Sequence, residues 1–167
     1  MCNPASFVLT KDQVFWSMKT DSHENIIAEF GLAQDGVRGP NILRVEITPP
    51  KMFDYGTPAE QWNFKLDQDL LPPWFDATAD EIRARLALVE WIEKRVIREK
   101  TKRECRDGIF FAVDNSQVTA WDNSQVTARG NSTVNQWNTN NVQPPQENAV
   151  VIDRCCITPK CIVATRK

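Results

Sequence analysis

From Asp114 the chain writes almost the same eight residues three times: Asp114-Asn-Ser-Gln-Val-Thr-Ala-Trp121, Asp122-Asn-Ser-Gln-Val-Thr-Ala-Arg129 and Gly130-Asn-Ser-Thr-Val-Asn-Gln-Trp137. Valine keeps the period at Val118, Val126, Val134, Val142 and Val150, and the column Ser116, Ser124, Ser132 continues as Asn140 and Asn148. Asp/Gly-Asn-Ser is turn chemistry, because Asp, Asn and Gly tolerate left-handed backbone. The other five residues alternate, so Ser, Val and Ala point one way and Gln, Thr and Trp or Arg the other. A stripe of small and β-branched side chains suits a narrow interior. No single octad can bury that stripe, so octads must stack, and the pattern predicts a short all-β solenoid over residues 106–167. Trp121 and Trp137 are sixteen residues apart. A coil of two octads would stack them on one outer face and place Arg129 opposite; a coil of three octads is the alternative.

The preceding residues 1–105 read as an α+β domain ending in a long helix. Residues 6–9 and 14–16 flank a polar turn and predict a hairpin. Asp21 and Glu24 have capping-box spacing ahead of a short helix whose buried face is Ile26, Ile27 and Phe30, with Gly31 at its stop. Leu43, Val45 and Ile47 alternate with polar residues, as do Trp62, Phe64 and Leu66, the period of half-buried strands. Beyond Pro72-Pro73, Thr78 and Glu81 suggest a second capping box and a helix to about Lys102. Its expected buried stripe is Ile82, Leu86, Val89, Ile92 and Val96. The array itself degrades at Pro144-Pro145. Its far end must be capped, and the apolar segment Cys161-Ile162-Val163-Ala164 is suited either to close it or to enter a second subunit.

The chain's apolar fraction of 41% and its six tryptophans are those of a folded protein. A formal net charge of -2 offers no basic stripe to neutralise phosphates, which argues against nucleic acid as partner. No apolar run is long enough to predict a membrane span, and the N-terminal residues lack the pattern of a secretory signal peptide. Residence in a cytoplasm is therefore expected. Five cysteines, Cys2, Cys105, Cys155, Cys156 and Cys161, are an odd set without paired C-x2-C spacing. They read as reduced thiols rather than metal ligands, and no cofactor or structural metal is expected.

Few residues suggest chemistry. Cys2, if Met1 were removed, could act as an N-terminal nucleophile with its own amine as base, and His23, beside Asp21 and Glu24, could orient it. The competing reading makes Cys2 a small buried residue and His23 a polar residue of a first helical turn. Asp67, Asp69 and Asp76 surround one proline turn and could hold a cation; such acids more often cap helices. Trp62 and Trp74 could line a pocket or belong to the core. On the solenoid, Trp121, Arg129 and Trp137 would stand in outward rows, suited to contact with another protein or a flat ligand. They could instead pack against the N-terminal domain.

Met1-Cys-Asn-Pro-Ala-Ser-Phe7, Asp21-Ser-His-Glu24, Arg44-Val-Glu-Ile-Thr-Pro-Pro50, Asp67-Gln-Asp-Leu-Leu-Pro-Pro-Trp74 and Asn148-Ala-Val-Val-Ile-Asp-Arg154 resemble a family of uncharacterised proteins of tailed bacteriophages and prophages. Those proteins carry a variable number of octads after an N-terminal domain. The resemblance stops at Arg154. It implies a viral origin and an accessory or structural role, and it assigns no catalytic residue. The expected function is thus non-enzymatic recognition of a virion or host protein by a homo-oligomer whose contacts lie in residues 114–167. A small-ligand sequestering protein and an N-terminal-cysteine hydrolase using Cys2 are the alternatives.

Overall fold

The computed structural model describes residues 5–36, 39–51, 54–137, 145–155 and 159–163. The chain divides into two compact units, Met1–Ile92 and Glu93–Lys167. The second begins before the self-copying text, because residues of unrelated sequence already pair with the first coil.

In the first unit, β1 (Ser6–Leu9) turns back into β2 (Val14–Phe15) as the hairpin predicted. Helix α1 (His23–Phe30) follows, then a two-residue pair, β3 (Asp35–Gly36) with β4 (Gly39–Pro40). Strands β5 (Leu43–Thr48) and β6 (Asn63–Leu66) complete an antiparallel sheet of order β2-β1-β5-β6. Leu43, Val45 and Ile47 are buried, as their alternation requires. The cap of α1 is Ser22 rather than Asp21: the Ser22 hydroxyl accepts from the Asn25 backbone N–H, and Gly31 closes the helix at φ 61°. A hydrogen bond from the backbone, with the Ser22 hydroxyl adding to it against partial burial, holds the Glu24 carboxyl below its ordinary value. Ile26 and Ile27 are buried, but Phe30 is 44% exposed and lies on Phe15 at 5.1 Å between ring centroids.

The long helix departs from its expected reading in three ways. Asp76, not Thr78, is its cap, accepting through Oδ1 from the backbone N–H groups of Thr78 (3.0 Å) and Ala79 (2.8 Å). The helix α2 spans Ala77–Arg95 and stops short of Lys102, because Val96–Ile97 becomes β7 and pairs with the first coil. Its buried stripe is Asp80, Ala84, Leu88, Trp91 and Arg95, while Ile82, Leu86 and Val89 are exposed. Asp80 can be buried because Arg83 bonds it at 2.6 Å, and Trp91 joins Tyr55 and Trp62 in one aromatic cluster. Ile92 and Val96 are buried as expected, but from Ile82 to Val89 hydropathy selected the wrong face, since a paired acid and an alanine mark the packed one.

The second unit is a β-solenoid of about 3 turns. Its sheet contains β7, then β8 (Lys102–Ala112), β9 (Gln117–Ala128), β10 (Thr133–Gln136), β11 (Val150–Asp153) and β12 (Lys160–Val163). Thr133 stands beside Gln117 and Val134 beside Val118, in parallel, so a coil is sixteen residues, two octads. Val118, Val126, Val134, Ala120, Ala128, Ser116, Ser124 and Ser132 are all buried. Asp114, Asp122 and Gly130, the first residue of each octad, take positive φ, which is the corner geometry their side chains predicted. Asparagine amides run up one corner, Asn148 donating to Asn131 (3.2 Å) and Asn131 to Asn115 (3.3 Å). At the last coil the spacing lengthens by one residue. Val151 therefore replaces the expected Val150 beside Val134, and Ala149 rather than Asn148 falls in the serine column. Asn140 and Val142 lie outside the described residues.

Each end of the coil stack carries a short strand from within the unit. At the start, β7 pairs with Phe111 and Ala112, and the buried Arg95 donates to the Ile109 carbonyl (3.0 Å) under the Phe111 ring. Arg103 takes the first position of the valine column, bonding the Glu93 carbonyl beside the Phe110 ring. At the far end β12 turns back antiparallel on β11, with Val151 beside Ile162. Cys161–Val163 of the tail thus pair with their own coil and form the edge of the sheet, and Ala164 lies outside the described residues.

Candidate functional site

The alternation that buries valine sends position eight of the first and third octads outward, and the sixteen-residue coil brings them together. Trp121 and Trp137 stack with ring centroids 5.2 Å apart and planes 12° from parallel. Each outer face of the pair carries an arginine. Arg106 lies over Trp121 at 5.7 Å and Arg154 over Trp137 at 5.8 Å, within the range of cation–π attraction. Register puts all four in one column: Arg106 aligns with Trp121, and the backbone of Trp137 and of Arg154 bonds Ala120 and Gln136 in the neighbouring strands. Successive strands are about 4.8 Å apart, so the ladder rises roughly 14 Å over three steps.

Side chains below the ladder hold its ends. Arg106 Nη1 donates to Asp122 at 3.0 Å, where Asp122 occupies the corner after Trp121. Arg154 Nε donates to the Asn135 side chain at 2.9 Å. Trp137 is 46% exposed, Trp121 is half-buried, and the Trp121 indole N–H is buried without a partner among the described residues. Because stacking covers the ring faces, the ladder offers indole edges and guanidinium N–H groups to an approaching molecule. Such a surface presents hydrogen-bond donors and apolar edges side by side, with each arginine held by its own side-chain bond.

The other candidates do not belong to this ladder. Arg129 lies in the column of Val113 on the other half of the coil, its N–H bonding the Ala112 carbonyl, so it does not join the tryptophans. Trp62 is buried at 1%, its indole N–H donating to the Thr57 carbonyl; it belongs to the core and is no contact residue. Trp74 is half-buried in the Pro72–Phe75 turn. His23 is also buried, with Nε2 at 3.1 Å from the Val45 carbonyl and Nδ1 at 3.2 Å from Asp67. Both its nitrogens face oxygen acceptors inside the unit, which makes it a tie between α1, β5 and the segment after β6. Cys2 lies outside the described residues.

Asp67 thus serves His23 and Asp76 serves a helix, and no group of His, Cys, Asp or Glu among the described residues could hold a metal ion. Cys105 sits in the interior column beside Ala120, and burial pushes its thiol up to about 11. Cys161 is exposed on β12, and Cys155 is half-buried with Sγ facing the Gln136 carbonyl. No helix of the described residues is long and apolar enough to cross a membrane.

Arg106 and Arg154 were missed by the sequence reading for a physical reason. A bulge at Asp107 places Arg106 fifteen residues before Trp121, and the longer last coil places Arg154 seventeen after Trp137. Strict periodicity hides both. No family model, curated protein or solved structure matches the chain.

Proposed function

We propose that the chain is a phage-encoded interaction protein that recognises a virion or host protein through the Arg106–Trp121–Trp137–Arg154 ladder. The observation that carries this reading is the ladder itself: two stacked tryptophans between two arginines, each arginine anchored by its own side-chain bond. Trp and Arg dominate the binding energy of protein interfaces, and a surface rigid before binding loses little entropy on contact. The phage origin is supported by the resemblance of the residues outside the repeat.

The test is association with purified virions and with host proteins of infected cells, followed by quantitative mass spectrometry. Trp137→Ala should remove the association, a loss of about thirty-fold or more for a residue worth roughly 2 kcal/mol at an interface. Its effect on melting should be small, because Trp137 stands outside the coil. Retained association in the Trp137→Ala and Arg154→Ala chains would move recognition to another surface.

A further inference from the structure

The face of α2 that faces solvent is as regular as the face it buries. Ala79, Ile82, Leu86, Val89 and Glu93 are all exposed, at alternating intervals of three and four. Ile82 is 56% exposed, Leu86 68% and Val89 44%, on three successive turns of one helix. Single exposed apolar residues are ordinary on a protein surface, but three in one line form a patch. Local helix preference does not account for them either, since Ile and Val are only moderate helix formers. The spacing is that of a coiled-coil seam, in which each side chain enters a gap between four residues of a facing helix.

We propose that this seam joins two copies of the chain through an antiparallel α2–α2 pair. The stripe is nearly symmetric about Leu86: Ala79 and Glu93 lie seven residues to either side, Ile82 and Val89 four and three. A two-fold axis at Leu86 therefore sets Leu86 on Leu86 of the second copy and Ile82 on its Val89, a self-complementary contact of the kind a two-fold dimer requires. Charge selects the antiparallel arrangement. Arg83 and Arg85 border the N-terminal half of the seam, and Glu90 and Glu93 lie along the C-terminal half. Antiparallel pairing brings Arg83 to Glu90 of the other copy; parallel pairing would set like charge against like. Arg83 uses Nη1 for Asp80 and Nη2 for the Thr10 carbonyl, so N–H groups of its fork are left for a further acceptor. Opposed helix dipoles favour the same arrangement.

Sedimentation and light scattering of the full chain at micromolar concentration test the proposal. The expected particle has twice the 19.1 kDa chain mass. Leu86→Lys should leave a monomer that keeps its helix and sheet signal in circular dichroism and loses only the stabilisation that association adds, since Leu86 is 68% exposed in the chain. Mixed Ile82→Cys and Val89→Cys chains should form an 82–89 crosslink under mild oxidation, mapped by mass spectrometry. A monomeric wild-type chain would overturn the proposal, leaving the seam for a helix of another protein. A dimer that survives Leu86→Lys would also overturn it and would return assembly to residues 114–167. Crosslinks between two 82 positions, with none between 82 and 89, would overturn the antiparallel arrangement.

Discussion

At the scale of single residues, the solenoid register makes neighbours behave as opposites. Val126 is 4% exposed inside the coil, and Gln125 stands half-exposed outside it. Val126→Asp would bury a carboxylate with no partner, at a cost of about 4 kcal/mol or more, a large part of what holds a small domain folded. Gln125→Asp should change stability by about 0.5 kcal/mol or less, as exposed substitutions do. Circular dichroism at 218 nm during thermal melting separates the two, and similar melting of both variants would refute the register. These inward and outward assignments were legible in the sequence, because a strand's two-residue period leaves each side chain only two directions. The fate of His23 was not. Its sequence neighbours Asp21 and Glu24 suggested a polar residue of a first helical turn, whereas its partners, Val45 on β5 and Asp67 just after β6, are distant in sequence.

Among the elements, α2 separates local from tertiary information most clearly. Its existence followed from periodicity, and its start from the acid and hydroxyl residues after Pro72-Pro73. Which of those residues caps it depends on backbone geometry: Asp76 reaches two N–H groups, and Thr78 already lies within the first turn. Asp76→Ala should therefore cost about 0.5–2 kcal/mol, with Asp76→Asn close to wild type. Thr78→Ala should have little effect in urea titrations of the full chain; a larger loss from Thr78→Ala than from Asp76→Ala would restore Thr78 as the cap. The buried face of α2 was read wrongly from Ile82 to Val89 for a related reason. Burial of Asp80 and Arg95 depends on Arg83, Ile109 and Phe111, and no periodicity of hydropathy reports partners elsewhere in the chain.

For the whole molecule, stacking in units of sixteen makes the solenoid divisible in one way only. Removing 114–129 deletes one complete coil and joins Val113 to Gly130, a corner residue of the same positive φ as Asp114. That chain should still fold, with a lower melting temperature and with Arg106, Trp137 and Arg154 in one column. Removing 114–121 deletes half a coil, so Trp137 moves to the side opposite Arg106 and β10 loses its partner segment Gln117–Ala120. Its C-terminal β signal should largely vanish, although it lacks only half as many residues. Equal folding of both deletions would show that coils are not the cooperative unit.

The sequence by itself determined the solenoid, its corners and its interior column. Each of these is a consequence of local backbone preference repeated at a constant interval. Only the tertiary structure decided what the repeats leave unspecified. It set the coil lengths of fifteen and seventeen residues that bring Arg106 and Arg154 onto the tryptophans. It also turned β12 back on β11 and left Ile82, Leu86 and Val89 facing solvent. Those outcomes depend on which distant residues meet, and a pairing energy between distant residues leaves no period in the sequence.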